Sequence, residues 1–554
     1  MKFTSQILLL LGLLFSSLVA TAQSIDTDDL EAKIDAMIPT AINDTTPGLV
    51  VGIVQNGKLT FSKGYGLANL SYGIANKPEM LYNIGSVSKQ FLGYAFAMLH
   101  ADGLINLDDP VSKYLDDWPE FEHKVSLRHL LSHSSGYREA YAMSELAGRI
   151  VGVDHLSREE CLNVVRRQKE LEFVPGTRFT YNSTAWVILA EILEKATGES
   201  AAAWVDQHLL DPLKMESTRI ENYVGEVMSN AAESYSYDSD RGYKNEKSNR
   251  AIFGAADLLT SVNDLAKWIN NIRTAEIGGE EVRSIFLDPL ELAGGVNSEY
   301  ALGIGVKNYR GVKRYSHNGG HEAFLTQLRY FPEQDLGIIL ISNFGGNGWL
   351  LASKISRLLL ANYMTDDVKK EESKSIALNT KELESFKGSY ISSDYHKSVQ
   401  LDIMDDTLTL DDGNKLIPVS AKEFRLKNQE VRVTFNTLTK GVEQMRIVGN
   451  ADSKYLKVKS WSPEEQILEK YKGDYWSDEL ETVYHLEMKD GQLAVGHRWL
   501  DSTVLKPITK DVFGTDWGYI LKFTRDEKDL ITGFSISGGR TLSVFFGAVD
   551  GGKL

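Results

Sequence analysis

The sequence predicts an α+β protein: a domain with an antiparallel sheet and a helical subdomain, followed by two small all-β barrel domains. Strand-like segments lie near both ends of residues 25–365, while helical patterns dominate from about 86 to 275. Residues 379–554 alternate apolar and polar residues between turn signals, in blocks that occur twice in the same order. A chain of 554 residues is also too long for a single hydrophobic core, which indicates several domains.

The predicted sheet of the first domain begins with a hairpin. Leu49–Gln55 and Leu59–Gly64 flank Asn56-Gly57, a dipeptide typical of two-residue turns. Strand-like patterns return at Thr326–Phe331 and Leu336–Ser342. This order indicates a sheet built from both ends of the domain, with the helical block inserted between them.

The C-terminal region contains an internal duplication. Corresponding blocks are Leu383–Tyr390 with Leu468–Tyr475, Leu401–Leu408 with Leu486–Leu493, and Leu416–Val419 with Leu505–Ile508. The separation is 85 residues between Gly388 and Gly473 and 89 residues between Pro418 and Pro507. Such a nearly constant offset is typical of a repeated unit, and the alternating pattern is typical of small antiparallel barrels.

These changes of pattern give the domain boundaries. Around residues 364–378 the chain is charged and has no apolar period, which indicates a linker or an exposed helix end. We therefore expect an export signal at 1–22, a first domain of helices and strands at 23–365, a linker at 366–378, and two barrel repeats at 379–465 and 466–554.

The first 22 residues have the pattern of a signal peptide. Lys2 supplies a positive charge, Ile7–Val19 is mostly apolar, and Ala20–Ala22 matches the small-x-small cleavage pattern. The alternative, a transmembrane anchor, requires about 20 apolar residues, and this run is shorter. No cysteine lies at the predicted cleavage site, so a lipoprotein anchor is not expected. We expect a secreted protein, periplasmic or extracellular, without a stable membrane anchor.

Composition narrows the partners. The chain has 60 Lys and Arg against 76 Asp and Glu, a net charge of −16, which disfavours nucleic acid and anionic membranes. Cys161 is the single cysteine, so a disulfide within the chain and a cysteine-based zinc site are excluded. Its helical context favours a partly buried free thiol over a catalytic cysteine.

Three patterns could suggest a metal, and none has the spacing of a metal site. Asp405-Asp406 and Asp411–Gly413 lack the spaced ligands of a calcium loop and are better explained as hairpin turns. His129 and His133 are four residues apart, but no glutamate completes the H-E-x-x-H pattern, and His321 lacks a second histidine. We expect no metal and no other cofactor.

The first chemical motif is Ser86-x-x-Lys89. A helix should begin near Ser86, because apolar side chains recur at three- and four-residue spacing at Phe91, Leu92, Ala95, Met98 and Leu99. Ser86 and Lys89 then lie one turn apart on one face. A serine hydroxyl is a weak nucleophile until a neighbour takes its proton, and an amine of lowered pKa can do so. Alone the motif is weak evidence, because a capping serine and a surface lysine look the same.

Other motifs follow in order. Tyr181 lies between the Pro175-Gly176 turn and a helical pattern, and His317-Asn-Gly319-Gly320 lies just before the strand predicted at Thr326–Phe331. With these motifs the chain resembles the β-lactamase-related serine hydrolases on the class C side, whose relatives include DD-peptidases, D-aminopeptidases and esterases. The resemblance covers roughly residues 25–365 and includes three framework segments at Leu127–Gly136, Asp211–Met215 and Gly254–Trp268.

The resemblance implies roles for the residues that match the motifs of the family. Ser86 would attack a carbonyl and form an acyl-enzyme. Lys89 and Tyr181 would share the proton transfers, with Tyr181 as the candidate base that activates the deacylating water. It also implies a β-lactamase/penicillin-binding-protein-like fold, and the two lipocalin-like barrels after it resemble the layout of D-aminopeptidases.

In the same way, His317 takes the place where many relatives have a lysine, and Gly319 keeps its strand close to the substrate. Backbone N–H groups of Ser86 and Gly320 would form an oxyanion hole. One position departs from the pattern, because Ser183 stands where the family usually has asparagine. Either Ser183 supplies a shorter hydrogen bond, which we favour, or Asn182 reaches in by a local shift.

These observations leave two functions from different classes. The leading one is a secreted serine hydrolase of small peptides, amides or esters, of the D-aminopeptidase, DD-peptidase or esterase type. The alternative is a catalytically silent penicillin-binding-like protein that binds cell-wall peptides, for which Ser183 is the support. Barrels that bind a wall polymer or form a homo-oligomer are compatible with both. The sequence leaves open the scissile bond, the preference for D or L residues and the oligomeric state.

Overall fold

The computed structural model describes residues 27–345, 348–365, 375–426, 431–438, 441–448 and 452–549. The predicted export signal 1–22 and residues 366–374 of the predicted linker lie outside these ranges. Within them, no helix combines the length and the apolar character that a membrane crossing requires.

The first domain combines a six-stranded antiparallel sheet with a helical region. Its strands are β1 (Leu49–Gln55), β2 (Lys58–Tyr65), β3 (Leu67–Asn69), β4 (Ile74–Ala75), β5 (Tyr82–Asn83), β6 (Arg219–Ile220), β7 (Ser234–Asp238), β8 (Gly242–Glu246), β9 (Leu258–Thr260), β10 (Glu291–Leu292), β11 (Val296–Asn297), β12 (Gly305–Tyr309), β13 (Val312–His321), β14 (Phe324–Phe331) and β15 (Leu336–Ser342). Its helices are α1 (Thr27–Asp35), α2 (Lys89–Ala101), α3 (Leu127–Leu131), α4 (Ala140–Leu146), α5 (Arg158–Arg166), α6 (Thr184–Thr197), α7 (Ala201–Val205), α8 (Val262–Thr274), α9 (Gly279–Phe286) and α10 (Gly348–Leu360).

The sheet joins the two ends of the domain, as predicted. Its strand order is β12-β13-β14-β15-β1-β2, so β1 pairs with β15 across almost the whole domain sequence. The predicted β1–β2 hairpin is present, and Asn56 and Gly57 have φ values of +51° and +73°. Two successive residues with positive φ are what a type I′ turn requires, which explains the Asn-Gly pair.

The sheet is covered on both faces, and the pattern of β1 shows why. Leu49, Val51 and Ile53 pack in a cluster with residues of α1 and α10, whereas Val50 and Val54 belong to the larger core shared with the helical region. Successive side chains of a strand point to opposite faces, so a strand buried on both sides is apolar at nearly every position. This layering supports the segments that carry the candidate site.

The segment around His317 precedes the strand predicted at Thr326–Phe331, as expected, and it is also a strand itself. It lies inside β13, which pairs with β14 from Tyr315 opposite Tyr330 to His321 opposite Phe324. Two adjacent glycines have low strand propensity, and here the partner strand outweighs it. The pairing of β12 with β13 ends at Gly305 opposite Ser316, so the edge of residues 317–321 away from β14 is left for another element.

Two all-β sheets follow, each nearly closed into a barrel. The first barrel contains α11 (Thr380–Glu384), β16 (Gly388–Ile391), β17 (Ser398–Met404), β18 (Thr407–Leu410), β19 (Leu416–Ser420), β20 (Glu423–Leu426), β21 (Arg432–Thr437), β22 (Glu443–Val448) and β23 (Asp452–Val458). The second barrel contains α12 (Glu465–Leu468), β24 (Gly473–Ser477), β25 (Thr482–Lys489), β26 (Gln492–His497), β27 (Leu500–Val504), β28 (Lys506–Thr509), β29 (Val512–Gly514), β30 (Tyr519–Arg525), β31 (Ile531–Gly538) and β32 (Thr541–Ala548).

The two barrels have the same topology. Their strand orders are β18-β17-β16-β23-β22-β21-β20-β19 and β27-β26-β25-β24-β32-β31-β30-β29-β28, which match except for the extra strand β27. The Tyr390 hydroxyl donates to the Phe386 carbonyl at 2.8 Å, and the Tyr475 hydroxyl donates to the Tyr471 carbonyl at 2.9 Å. Equivalent bonds at equivalent positions agree with the duplication seen in the sequence.

The two barrels differ in their cores. Apolar residues of the second barrel, among them Tyr484 and Phe534, form one continuous cluster with the core of the first domain. The core of the first barrel, which includes Tyr390 and Phe424, is a separate cluster. The second barrel is therefore packed into the body of the hydrolase-like domain.

Candidate active site

Ser86 and Lys89 meet at the start of α2. Ser86 lies in a 3-10 turn, Gly85–Ser88, and Lys89 is the first residue of the helix that continues it. The Lys89 Nζ lies 3.1 Å from Ser86 Oγ and 2.5 Å from the Ala255 carbonyl oxygen. Ser86 is partly exposed and Lys89 is fully buried. The serine can therefore meet a ligand while the amine is held behind it.

The surroundings of Lys89 favour its neutral form. Burial lowers the pKa of Lys89 well below its usual range, and the positive charge of Arg540 lowers it further. The carboxylates of Glu139 and Asp257 act in the opposite direction but do not reverse the shift. A neutral amine in contact with a serine hydroxyl can take its proton.

Tyr181 borders the same pair. Its ring lies 5.3 Å from Lys89 Nζ, and burial raises the pKa of Tyr181, an effect that the nearby Ser86 hydroxyl opposes. Tyr181 Oη nevertheless makes no hydrogen bond of normal geometry within the described ranges. The phenol is therefore protonated, close to the serine and free to bond to a substrate or a water.

His133 supports Tyr181 from behind. The two rings lie with their centroids 4.0 Å apart, and the Asn182 N–H donates to His133 Nδ1 at 3.0 Å. Burial lowers the pKa of His133 well below its usual range, so the ring is neutral and carries its proton on Nε2. The structure thus places this framework histidine directly against a candidate catalytic residue, a contact that sequence spacing could not reveal.

Asn182 is committed to the framework. Its Nδ2 donates to the carbonyls of Tyr137 and Arg138 at 2.6 and 3.2 Å, and its Oδ1 accepts from the Ala185 N–H at 2.8 Å. Both amide donors and one lone pair of the oxygen are thus used within the framework. This geometry argues against the alternative in which Asn182 reaches into the site.

Ser183 follows immediately and precedes α6. Its backbone N–H donates to Glu139 at 3.3 Å, while its hydroxyl makes no hydrogen bond in the part of the chain that the structure describes. The residue is 4% exposed, and the serine side chain is too short to reach far from its backbone. Of the two residues, Ser183 is the one whose side chain can still form a hydrogen bond with a ligand.

His317 is held neutral by its contacts. Its Nδ1 lies 2.6 Å from the Asn318 carbonyl oxygen, and its Nε2 lies 2.8 Å from Tyr300 Oη. Because a carbonyl can only accept, Nδ1 carries the proton and Nε2 accepts from the tyrosine. Burial lowers the pKa of His317 to about 3, with a further contribution from Lys89. This strand position therefore contributes no positive charge near neutral pH.

Two close backbone approaches bring β13 to the serine turn. A Cβ on Gly319 would lie 1.9 Å from the Ile84 carbonyl oxygen, and a Cβ on Gly85 would lie 2.6 Å from the Gly320 carbonyl oxygen. Gly85 also has a φ of +52°. Glycine is required at these positions because any side chain would push the strand edge away from Ser86.

Asp257 was not identified from the sequence, yet it shapes the site. The Ile252 N–H donates to its carboxylate at 2.6 Å, which ties together the loop whose Ala255 carbonyl holds Lys89. The other carboxylate oxygen lies 3.5 Å from His321 Nε2, and burial raises the pKa of Asp257 to about 6. Asp257 acts as a positioning residue for the Lys89 loop.

Arg540 was also missed, and it comes from the second barrel. It lies at the exposed turn between β31 and β32, and its guanidinium carbon is 5.0 Å from the centroid of the Tyr181 ring. No local pattern marks this residue, because its role depends on how the barrel packs against the first domain.

No group of three or more His, Cys, Asp or Glu side chains that could hold a metal occurs among the described residues.

Comparisons with known proteins agree with this fold. Residues 28–362 match the family model described as "Beta-lactamase". The D-aminopeptidase of Brucella canis is 27% identical over 338 residues, which cover 61% of this chain and 63% of that protein. The chain therefore matches less than two thirds of the length of this relative.

Solved structures extend the likeness. The octameric penicillin-binding protein homologue from Pyrococcus abyssi has a TM-score of 0.54 at 21% identity and covers 86% of this chain and 100% of its own. The D-stereospecific amidohydrolase from Streptomyces sp. has a TM-score of 0.50 at 19% identity, with 61% and 99% covered. These matches confirm the predicted β-lactamase/penicillin-binding-protein-like fold.

Proposed function

The chain belongs to the beta-lactamase family, and we propose from this premise that it is a serine hydrolase that cleaves small peptides, amides or esters through an acyl-enzyme at Ser86. The observation that carries the proposal is the 3.1 Å contact between Ser86 Oγ and Lys89 Nζ. A surface lysine beside a capping serine would be solvated, whereas this lysine is fully buried.

In the acylation step, Ser86 Oγ bonds to the substrate carbonyl carbon and its proton passes to the neutral Lys89 amine. The resulting oxyanion would accept hydrogen bonds from the N–H groups of Ser86 and Gly320, which the close approach of β13 to the serine turn supports. The bond to the leaving group then breaks, and the proton is returned to the leaving amine or alcohol. Ser86 remains as an ester.

Deacylation reverses these steps with water as the nucleophile. The water oxygen bonds to the acyl carbon, its proton is taken up in the site, and Ser86 Oγ regains a proton as the ester bond breaks. The resemblance to the family implies Tyr181 as the candidate base for this water. The raised pKa of Tyr181 and the lowered pKa of Lys89 favour Lys89 as the acceptor, with the Tyr181 phenol carrying a hydrogen bond between water and amine.

The similarity to the D-aminopeptidase of Brucella canis supports a preference for substrates with D residues. The signal-peptide pattern of residues 1–22 supports action outside the cytoplasm, in the periplasm or the medium. Cell-wall peptides, which contain D residues, are therefore the substrates to test first. Whether the protein forms a homo-oligomer stays a prediction.

The first experiment is the intact mass of the mature protein after treatment with a fluorophosphonate. We expect one adduct on the wild type and none on Ser86→Ala. Lys89→Met keeps the serine and removes the amine, and we expect its labelling rate to fall roughly 10²–10⁴-fold, the usual contribution of a general base. Circular dichroism of each variant serves as the folding control.

A second candidate is a catalytically silent protein that binds cell-wall peptides. The observation in its favour is Ser183, whose short hydroxyl stands alone because Asn182 is turned into the framework. Absence of the adduct on folded wild type would favour this candidate. A labelled wild type that turns over D-alanyl amides or short esters would exclude it.

A further inference from the structure

We propose that Arg540 of the second barrel binds a carboxylate of the substrate, so that the enzyme selects anionic peptides or amides over neutral and cationic ones. The inference rests on the proposed function and names the substrate class of that same site. It predicts a selectivity opposite to that of a site built to receive a free amine.

The first support is position. The turn between β31 and β32 places the Arg540 guanidinium carbon 5.0 Å from the centroid of the Tyr181 ring. Tyr181 in turn borders Ser86 and Lys89. A residue of the second barrel therefore forms part of the wall beside the nucleophile, on the side where Tyr181 lies.

The second support is that the turn is held firmly. The Thr541 hydroxyl and the Leu542 N–H donate to Glu172 at 2.6 and 3.0 Å, and the Leu542 carbonyl accepts from Arg138. Arg138 also binds Glu479 of the same barrel through two bonds, of 2.7 and 2.9 Å. These groups are buried, so the backbone that carries Arg540 is fixed before a ligand arrives.

The third support is that the Arg540 guanidinium is unoccupied. Within the described ranges it makes no ion pair and no hydrogen bond, and it lies over the Tyr181 ring. Arg138 and Arg250 are already paired with Glu479 and Glu322. Arginine is permanently charged and offers a planar fork of donors that fits a carboxylate in bidentate fashion.

The fourth support is the charge of the neighbours. Lys89 is shifted toward its neutral form and His317 is neutral, so neither supplies a fixed positive charge for an anionic ligand. Arg540 supplies it, and the same charge would repel a substrate ammonium.

The test compares substrates that carry a different charge at one end. One series varies the leaving side, with N-acetyl-D-alanyl-D-alanine against its C-terminal amide. The other varies the acyl side, with succinyl-, acetyl- and free-amino-D-alanine p-nitroanilides. The quantity measured is the ratio of kcat/KM for the anionic over the neutral substrate. Fluorophosphonate labelling of Ser86 is measured in parallel, because it does not depend on substrate charge.

The variants are Arg540→Gln, Arg540→Lys and Arg540→Glu, with Lys528→Gln as the matched control. Lys528 is an exposed residue of the same barrel, at the turn that enters β31 rather than the one that leaves it. We expect the wild type to prefer the carboxylate in at least one series. Arg540→Gln should lower that ratio about ten- to a hundredfold, which is the usual effect of losing one charged hydrogen-bonding partner.

The other variants sharpen the result. Arg540→Lys should retain part of the preference, Arg540→Glu should invert it toward the ammonium substrate, and Lys528→Gln should leave it unchanged. If Arg540→Gln leaves the ratio unchanged in both series while Ser86 is still labelled, the inference is wrong and the proposed function stands. If the wild type is neither labelled nor active, the proposed function fails and this inference fails with it.

Discussion

The two barrels have the same architecture but pack differently against the hydrolase domain. Both use the same strand order, and both present an acidic residue to an arginine of the first domain: Asp394 binds Arg178 and Glu479 binds Arg138. Asp394 and Glu479 are as far apart in the chain as Gly388 and Gly473, so the two ion pairs occupy equivalent places in the repeats. Their surroundings differ.

The first pair is near the surface, with side chains 34% and 30% exposed, whereas the second has side chains 5% and 8% exposed. Around the buried pair, the Tyr484 hydroxyl donates to the Leu146 carbonyl at 2.7 Å and the second barrel joins the main core. A duplicated scaffold can therefore keep its internal hydrogen bonds while different residues on its outer surface pack one copy beside the active site.

The largest expected difference between the barrels concerns these ion pairs. Glu479→Ala should lower the free energy of unfolding by about 3–5 kcal/mol, because it leaves the buried Arg138 without its bidentate partner. Asp394→Ala should cost only about 0–1 kcal/mol, because solvent screens the exposed pair. Urea denaturation followed by tryptophan fluorescence measures both. Equal losses would contradict the distinction between the buried ion pair of the second barrel and the exposed ion pair of the first.

An intermediate effect tests what the barrels share. Tyr390→Phe and Tyr475→Phe each remove a buried hydrogen bond to a carbonyl four residues earlier. Each should cost about 1–3 kcal/mol, because a buried carbonyl loses its partner. The two losses should agree within the error of the denaturation curves. A large cost in one barrel and none in the other would show that the repeats no longer share this element.

The smallest expected effect is on protonation. Lys89 must be neutral to accept a proton, so activity falls as the pH drops below its pKa. The Arg540 charge lowers that pKa, so in Arg540→Gln the pKa should rise and the acid limb of kcat/KM should move to higher pH. Profiles measured on a neutral ester avoid the effect of substrate charge. Lys528→Gln should keep the wild-type profile, and an unmoved limb in Arg540→Gln would place Arg540 outside the range of Lys89.

Prediction from sequence succeeded where the information is local. The Asn56-Gly57 turn, the helix after Ser86 and the repeated blocks are each encoded within a few residues. It gave no prediction for β13, the strand that contains His317, because Gly319 and Gly320 are poor strand formers and pairing with β14 decides the outcome. It also missed Asp257, whose carboxylate matters only once the loop that holds Lys89 is folded.

The sequence by itself determined the family motifs, the duplicated barrels and the pairing of Ser86 with Lys89, because periodicity and short spacings act over one or two turns of chain. The tertiary structure alone decided that Lys89 is buried, that the Asn182 amide is hydrogen-bonded to backbone groups of the framework and that Arg540 lies over Tyr181. Burial and the meeting of distant charges depend on how whole domains pack. A barrel turn far along the chain acquires its place beside the serine through the buried contacts of Arg138, Glu172 and Glu479.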